Sequence, residues 1–173
     1  EELHAQGGFI IIDPSLGKKK SDDVAISAFL IYDGKPVLRE VSKGKFDPGE
    51  TIRKATFLAA KYNIQLICVE SVAYQATLIF WFNFIFKQLG IEGIHVCEIA
   101  TGGSPKNSRI VTMFKELLSG ALLLHSTVRS SVLHQVSQFN PLVTVNVDDV
   151  LDCLAYAYKV MQLYPDYLPL IIS

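Results

Sequence analysis

The chain has 173 residues, half of them hydrophobic and 19% charged, with 16 basic and 17 acidic side chains and a formal net charge of −1. This composition excludes an intrinsically disordered chain and is enough for one compact domain with a full core. Near-neutral charge excludes no class of partner, because the two signs can still be separated into a basic groove and an acidic pocket.

Cys68, Cys97 and Cys153 are odd in number, lack CxxC spacing and sit in apolar runs, so they read as buried thiols of a reducing compartment. The most apolar window, TLIFWFNFIF from Thr77 to Phe86, is too short for a bilayer that needs ~20 apolar residues, and it predicts a core helix. No cationic stretch followed by a small-residue cleavage site opens the chain, which points to a cytosolic protein.

EELHAQGG is polar and aperiodic, so residues 1–8 read as a linker remnant and residues 9–173 as the domain. FIIID is a continuous apolar run suited to a central strand, VAISAFLIY alternates, and Asp33-Gly34 is a hairpin dipeptide leading into PVLREVSKG. Asp47-Pro48 opens a helix that keeps its spacing to Tyr62 and ends before Asn63. LICVE is a second buried strand ending on an acid, followed by a helix from Tyr74 to Leu89 with Gly90 as its stop. A strand IHVCEIA, a loop from Gly102 to Pro105, a helix from Lys106 to Leu118, a short strand ALLLH and a helix from Thr127 to Phe139 come next. A last helix begins near Val147 and keeps its apolar spacing through Val150, Leu151, Leu154, Tyr158 and Met161. The order predicts an α/β fold whose first three strands are antiparallel and whose later strands are parallel, in one mixed sheet covered on both faces.

Three places set acids against apolar surroundings: Asp13 ends the first strand, Glu70 ends the fourth, and Asp148, Asp149 and Asp152 open the last helix. Each alone has an ordinary explanation, a turn for Asp13, an ion pair for Glu70, a helix cap for Asp148 or Asp149. Together they exceed what turns and caps need. Strand ends of an α/β sheet share one edge, so Asp13 and Glu70 meet there if their strands are adjacent and parallel. Like charges held a few ångström apart call for a cation, and oxygen ligands select Mg²⁺ or Mn²⁺. Two such ions ~3.5–4 Å apart are suited to phosphodiester hydrolysis without a histidine or a nucleophilic side chain.

With these acids in place, the order strand-Asp, hairpin, strand-Glu, acidic terminal helix resembles the ribonuclease H-like nuclease superfamily. Within it, IDPSLGKKKSDDVAI, ICVESVAYQ, SPKNSRI and DDVLDCLAYAY resemble the nuclease domain of the large terminase subunit of tailed bacteriophages, over about Phe9 to Met161. The resemblance implies a two-metal endonuclease that cuts concatemeric viral double-stranded DNA during packaging. Asp13, Glu70 and Asp149 are then the catalytic metal ligands, with Asp152 and Asp148 as helpers. The pattern of the related resolvases makes Asp152 a competitor for Asp149, and Asp22 falls where the family often has an acid. The family's partners are an ATPase motor domain, a small terminase subunit and a portal or procapsid, in the cytoplasm of a bacterial host and without a membrane. No G-x-x-x-x-G-K-[ST] occurs, so the motor is expected to lie outside this chain.

Lys18, Lys19 and Lys20 beside Asp13, and Lys106 and Arg109 after the glycine loop, are candidate phosphate contacts; a solvated lysine loop is the plain alternative. Tyr74 and Gln75, just after Glu70, are candidates to face the same groove or, equally, structural residues of a helix start, whereas His125 and His134 read as packed or surface residues. The rival functions are a Holliday-junction resolvase, an actin-like ATPase fragment using Asp13 to Gly17 as a phosphate loop, and a non-catalytic DNA- or portal-docking module.

Overall fold

The computed structural model describes residues 5–14, 23–70, 75–100, 103–143 and 149–167. Six strands form one sheet: β1 (Gly8–Asp13), β2 (Val24–Tyr32), β3 (Lys35–Gly44), β4 (Leu66–Glu70), β5 (His95–Ile99) and β6 (Leu123–Leu124), in the spatial order β5-β4-β1-β2-β3-β6. β1, β2 and β3 pair antiparallel, whereas β1 with β4, β4 with β5 and β3 with β6 pair parallel. This is the mixed sheet that the element order predicts. The hairpin between β2 and β3 turns at Asp33 and Gly34, whose φ values of 49° and 72° are those of a primed turn that follows the strand twist.

The helices are α1 (Pro48–Tyr62), α2 (Gln75–Leu89), α3 (Lys106–Ser119), α4 (Ser126–Gln138), α5 (Asp149–Ala155) and α6 (Ala157–Leu163), with a final 3-10 turn at Pro165–Tyr167. α1 begins where Asp47 accepts a 2.8 Å hydrogen bond from the Glu50 amide with Pro48 in the first turn, and it ends on Asn63 at φ 52°. No helix among the described residues is long and apolar enough to cross a membrane.

The sheet separates two cores, and strand alternation decides which residue enters which. Ile10, Ile12, Ile26, Ile67 and Val69 pack with α1 and α2 through Ile52, Leu58, Leu78, Phe82 and Phe86. Phe9, Ile11, Phe29, Leu66 and Cys68 pack on the other face with Met113, Val132, Leu151 and Leu154, from α3, α4 and α5. That is why FIII is apolar at every position: both faces of β1 are covered. Continuing the alternation, Asp13 follows Phe9 and Ile11, and Glu70 follows Leu66 and Cys68, so both acids belong to the face that α5 covers.

Two expectations are corrected. The last helix is not continuous: it breaks at Tyr156, whose backbone amide bonds to the Cys153 carbonyl at 3.1 Å. The TLIFWFNFIF helix is only half a core helix, because Leu78, Phe82 and Phe86 are buried while Phe80, Trp81 and Phe84 are exposed.

Candidate metal centre

β1 and β4 bring the first two acids together. Their parallel register pairs Ile10 with Ile67, Ile11 with Cys68 and Ile12 with Val69, so one further step sets Asp13 beside Glu70. α5 supplies the third. It packs against β1 and β2 below and α3 and α4 above, and Val150, Leu151, Cys153 and Leu154 are all buried. A helix apolar nearly all round is enclosed on all sides, so Asp152 lies inside the protein, 2% exposed, instead of on a solvated face. The buried Gln135 of α4 accepts from the Leu151 amide at 3.4 Å, satisfying one of the free donors of the first turn of α5.

Asp13, Glu70 and Asp152 thus converge: all three are buried, and each offers a carboxylate oxygen within 4.8 Å of the others. Two unit charges about 4 Å apart repel by roughly 4 kcal/mol at an effective dielectric of ~20, so three such groups do not gather without compensation. Lys106 Nζ at 3.5 Å and Arg109 Nη2 at 3.6 Å from Asp152 offset part of it. The donor set is all oxygen, anionic and convergent, which fits a hard divalent cation such as Mg²⁺ or Mn²⁺.

Asp149, which the resemblance makes the third ligand with Asp152 as its competitor, lies elsewhere on α5. One helical turn before Asp152, it forms a 3.1 Å ion pair with Lys43 of β3 and stands outside the converging trio. The ladder explains the partner: Asp13 pairs with Ala25 and Ala25 with Lys43, so Lys43 sits on the same sheet edge, two strands away. Lys106 and Arg109, expected as phosphate contacts, are both at the acids. Arg109 also donates from Nη1 to the Ser104 carbonyl, and its guanidinium carbon lies 5.0 Å from the centre of the Tyr156 ring. Gln75 opens α2. Lys18, Lys19, Lys20, Asp22, Tyr74 and Asp148 lie outside the described residues.

Tyr156 is the residue that sequence reasoning missed. Its hydroxyl donates to Glu70 Oε1 at 3.0 Å, and its ring is buried. Burial first, then the charges of Glu70 and Asp152, push the phenol far above its ordinary range, so it stays a protonated donor. A signal was present, since Tyr156 stands four residues after Asp152 and therefore on the same helical face. Tyr156→Phe is expected to reduce metal-dependent activity or metal affinity about 10- to 100-fold, as losing a partner that orients a ligand does. Unchanged metal titration curves would refute that role. Cys153, also close by, is buried, and burial and then the Asp13 charge raise its thiol well above the ordinary range.

No protein-family model matches the sequence, and no curated protein does. Solved structures do match in fold. The nuclease domain of human cytomegalovirus terminase, Mn-soaked and inhibitor-bound, is similar over 96% of this chain and 88% of that one, with TM-score 0.65 and 11% identity. The large terminase of a thermophilic bacteriophage gives TM-score 0.61 at 11% identity, over 92% of this chain and 40% of that one. The fowlpox virus Holliday junction resolvase gives 0.54 at 18% identity, over 89% and 98%. This chain therefore has the ribonuclease H-like fold of terminase nuclease domains. Such domains occur in a human virus as well as in a phage, and the chain spans less than half of the phage protein.

Proposed function

We propose that the chain is a metal-dependent DNA endonuclease, the nuclease domain of a viral terminase large subunit. The observation that carries this reading is the convergence of Asp13, Glu70 and Asp152 at one sheet edge in a fold shared with terminase nucleases. Asp13, Glu70 and Asp152 would hold Mg²⁺ or Mn²⁺, two ions in the full form of the reading. The bound metal would supply charge stabilisation to the scissile phosphate and a water made acidic enough to attack near neutral pH.

The chain's own residues do the rest. The rigid ends of β1 and β4 fix Asp13 and Glu70, and Tyr156 holds one Glu70 oxygen in place through its hydroxyl. Lys106, more exposed than Arg109, is the group that can exchange its contact with Asp152 for a DNA phosphate. Arg109, held by Ser104, Asp152 and the Tyr156 ring, positions α3 against the acids. Lys18, Lys19 and Lys20, which follow Asp13 in the sequence, are proposed as further phosphate contacts.

In the wider reading, the nuclease domain begins at Gly8, the first residue of β1, one residue earlier than the sequence suggests, and an ATPase motor belongs to the full protein. The substrate is concatemeric viral double-stranded DNA, the partners are the small terminase subunit and a portal or procapsid, and the setting is the cytoplasm of an infected bacterium. A resolvase is the second reading, favoured by the fowlpox enzyme, 98% of whose length this fold covers.

Cleavage of plasmid, linear and four-way-junction DNA with Mn²⁺, compared with EDTA controls, tests both. Metal-dependent cutting of duplex DNA supports the terminase reading, and marked preference for the junction moves the assignment to a resolvase. ATP turnover without nicking would instead favour the actin-like alternative, and Mn²⁺-independent DNA binding without cleavage a docking module.

A further inference from the structure

A second surface lies on the opposite side of the sheet from α5. α2 turns Leu78, Phe82 and Phe86 into the core and leaves Phe80, Trp81 and Phe84 exposed at 60%, 42% and 46%. These three rings pack on one another, with centroids 5.6 Å apart for Phe80–Trp81 and Trp81–Phe84 and 6.3 Å for Phe80–Phe84. Beside them, α1 and α2 enclose an open groove of about 420 Å³, lined by residues including Ile52, Thr56, Phe57, Ile85, Leu89 and Ile91. Phe57 and Leu89 are 64% and 69% exposed.

Ridge and groove are continuous. Trp81, Ile85 and Leu89 recur at four-residue spacing, so the aromatic knob stands over the N-terminal half of α2 and the groove opens along its C-terminal half. Two copies of α2 crossed antiparallel about a two-fold axis near Phe84 would set each knob over the other copy's groove, which is the self-complementarity an isologous contact requires. Size agrees. Side chains of this kind carry about 150–250 Å² each, so at these exposures the five present roughly 600 Å² of apolar surface, against the ~800 Å² per partner of a standard interface. An apolar area of this size is at the upper end of what monomers show. Charge is sparse on the contact: Lys87 is the only charged residue of α2 and Arg53 the one charged residue lining the groove, and both side chains are long enough to keep their charged ends in water at the rim.

We infer that the α1/α2 face is a homodimer interface, with Phe80 and Trp81 of each copy seated over the groove of the other and the two Phe84 rings meeting near the axis. The inference rests on packing and stands apart from the cleavage reading.

Trp81 is the chain's only tryptophan and reports on it directly. Light scattering or sedimentation of the full chain across a concentration series should show a monomer–dimer transition, with Trp81 emission shifting to the blue along the same curve. Phe84→Asp and the double variant Phe80→Ser with Phe84→Ser, both retaining Trp81, should weaken dimerisation roughly thirtyfold or more, as losing an interface anchor does. At concentrations low enough for the parent to be monomeric, their thermal midpoints should remain near its own, since the replaced rings are exposed. A monomer mass at every concentration with constant Trp81 emission would overturn the inference. So would a dimer indifferent to these variants, or a Trp81 shift seen only with lipid vesicles, which would identify a membrane surface as the occupant.

Discussion

Asp152→Asn is expected to reduce Mn²⁺-dependent DNA cleavage by about 10²–10³-fold or more, whereas Asp149→Asn should lose no more than roughly tenfold. The two residues are one turn apart on the same helix, so the contrast comes from the ~4.5 Å rise and ~60° rotation between them. Asp152 points under the sheet edge to Asp13 and Glu70, whereas Asp149 points at Lys43 and holds β3 to the start of α5. Asparagine keeps the shape of aspartate and removes the charge, so the pair measures charge at each position. Asp152→Asn also deprives Arg109 of a charged partner in a buried place, which can cost stability on its own account. Asp13→Asn is therefore run beside it: this variant leaves the Asp152–Arg109 pair in place, and it should lose activity to the same degree while unfolding cooperatively near the parent midpoint. Greater loss in Asp149→Asn than in Asp152→Asn would favour Asp149 as the third ligand, as the sequence resemblance implies.

The sequence shows the first two acids clearly and the third only to within a turn, and the reason is the range of the interactions involved. Asp13 and Glu70 each close a run whose burial is written in its own residues, FIII and LICV, and strand alternation carries both to one face. The Asp33-Gly34 turn and the Asp47 cap are likewise local chemistry, and both stand where the sequence places them. The choice between Asp149 and Asp152 depends on how α5 rotates between the sheet and α3 and α4, which no residue of α5 specifies alone. The break at Tyr156 was hidden for the same reason. The apolar spacing runs on through it, while the ring is drawn to Glu70, 86 positions away in the chain. α2 misleads in the opposite sense: TLIFWFNFIF is apolar on all sides, so burial was expected throughout, yet only one side of it meets the core.

Mg²⁺ or Mn²⁺ is expected to stabilise the chain against heat, and that gain should vanish when the acid cluster is dismantled. A ligand that binds only the folded state at 100 times its Kd adds about 2.7 kcal/mol, which for a chain of this size raises Tm by roughly 5–10 °C. The folded chain holds Asp13, Glu70 and Asp152 within 4.8 Å, whereas the unfolded chain leaves them far apart in water, so folding creates the repulsion that a cation relieves. Neutralising one acid should therefore have two opposite consequences. Without metal, Asp13→Asn loses a repulsive partner and its Tm should equal or exceed that of the parent. With metal, it lacks a ligand and should gain almost nothing. The thermal curves of parent and variant are then expected to cross as metal is added, a result that a simple folding defect would not produce because it lowers Tm in both conditions. Ca²⁺ serves as a further arm: a hard oxygen-binding ion should also raise the parent Tm, since the stabilisation is electrostatic, even where its larger radius fails to support cleavage. A parent Tm indifferent to all three ions would mean that Lys106 and Arg109, together with other contacts, already balance the cluster, and that the acids are structural and hold no metal.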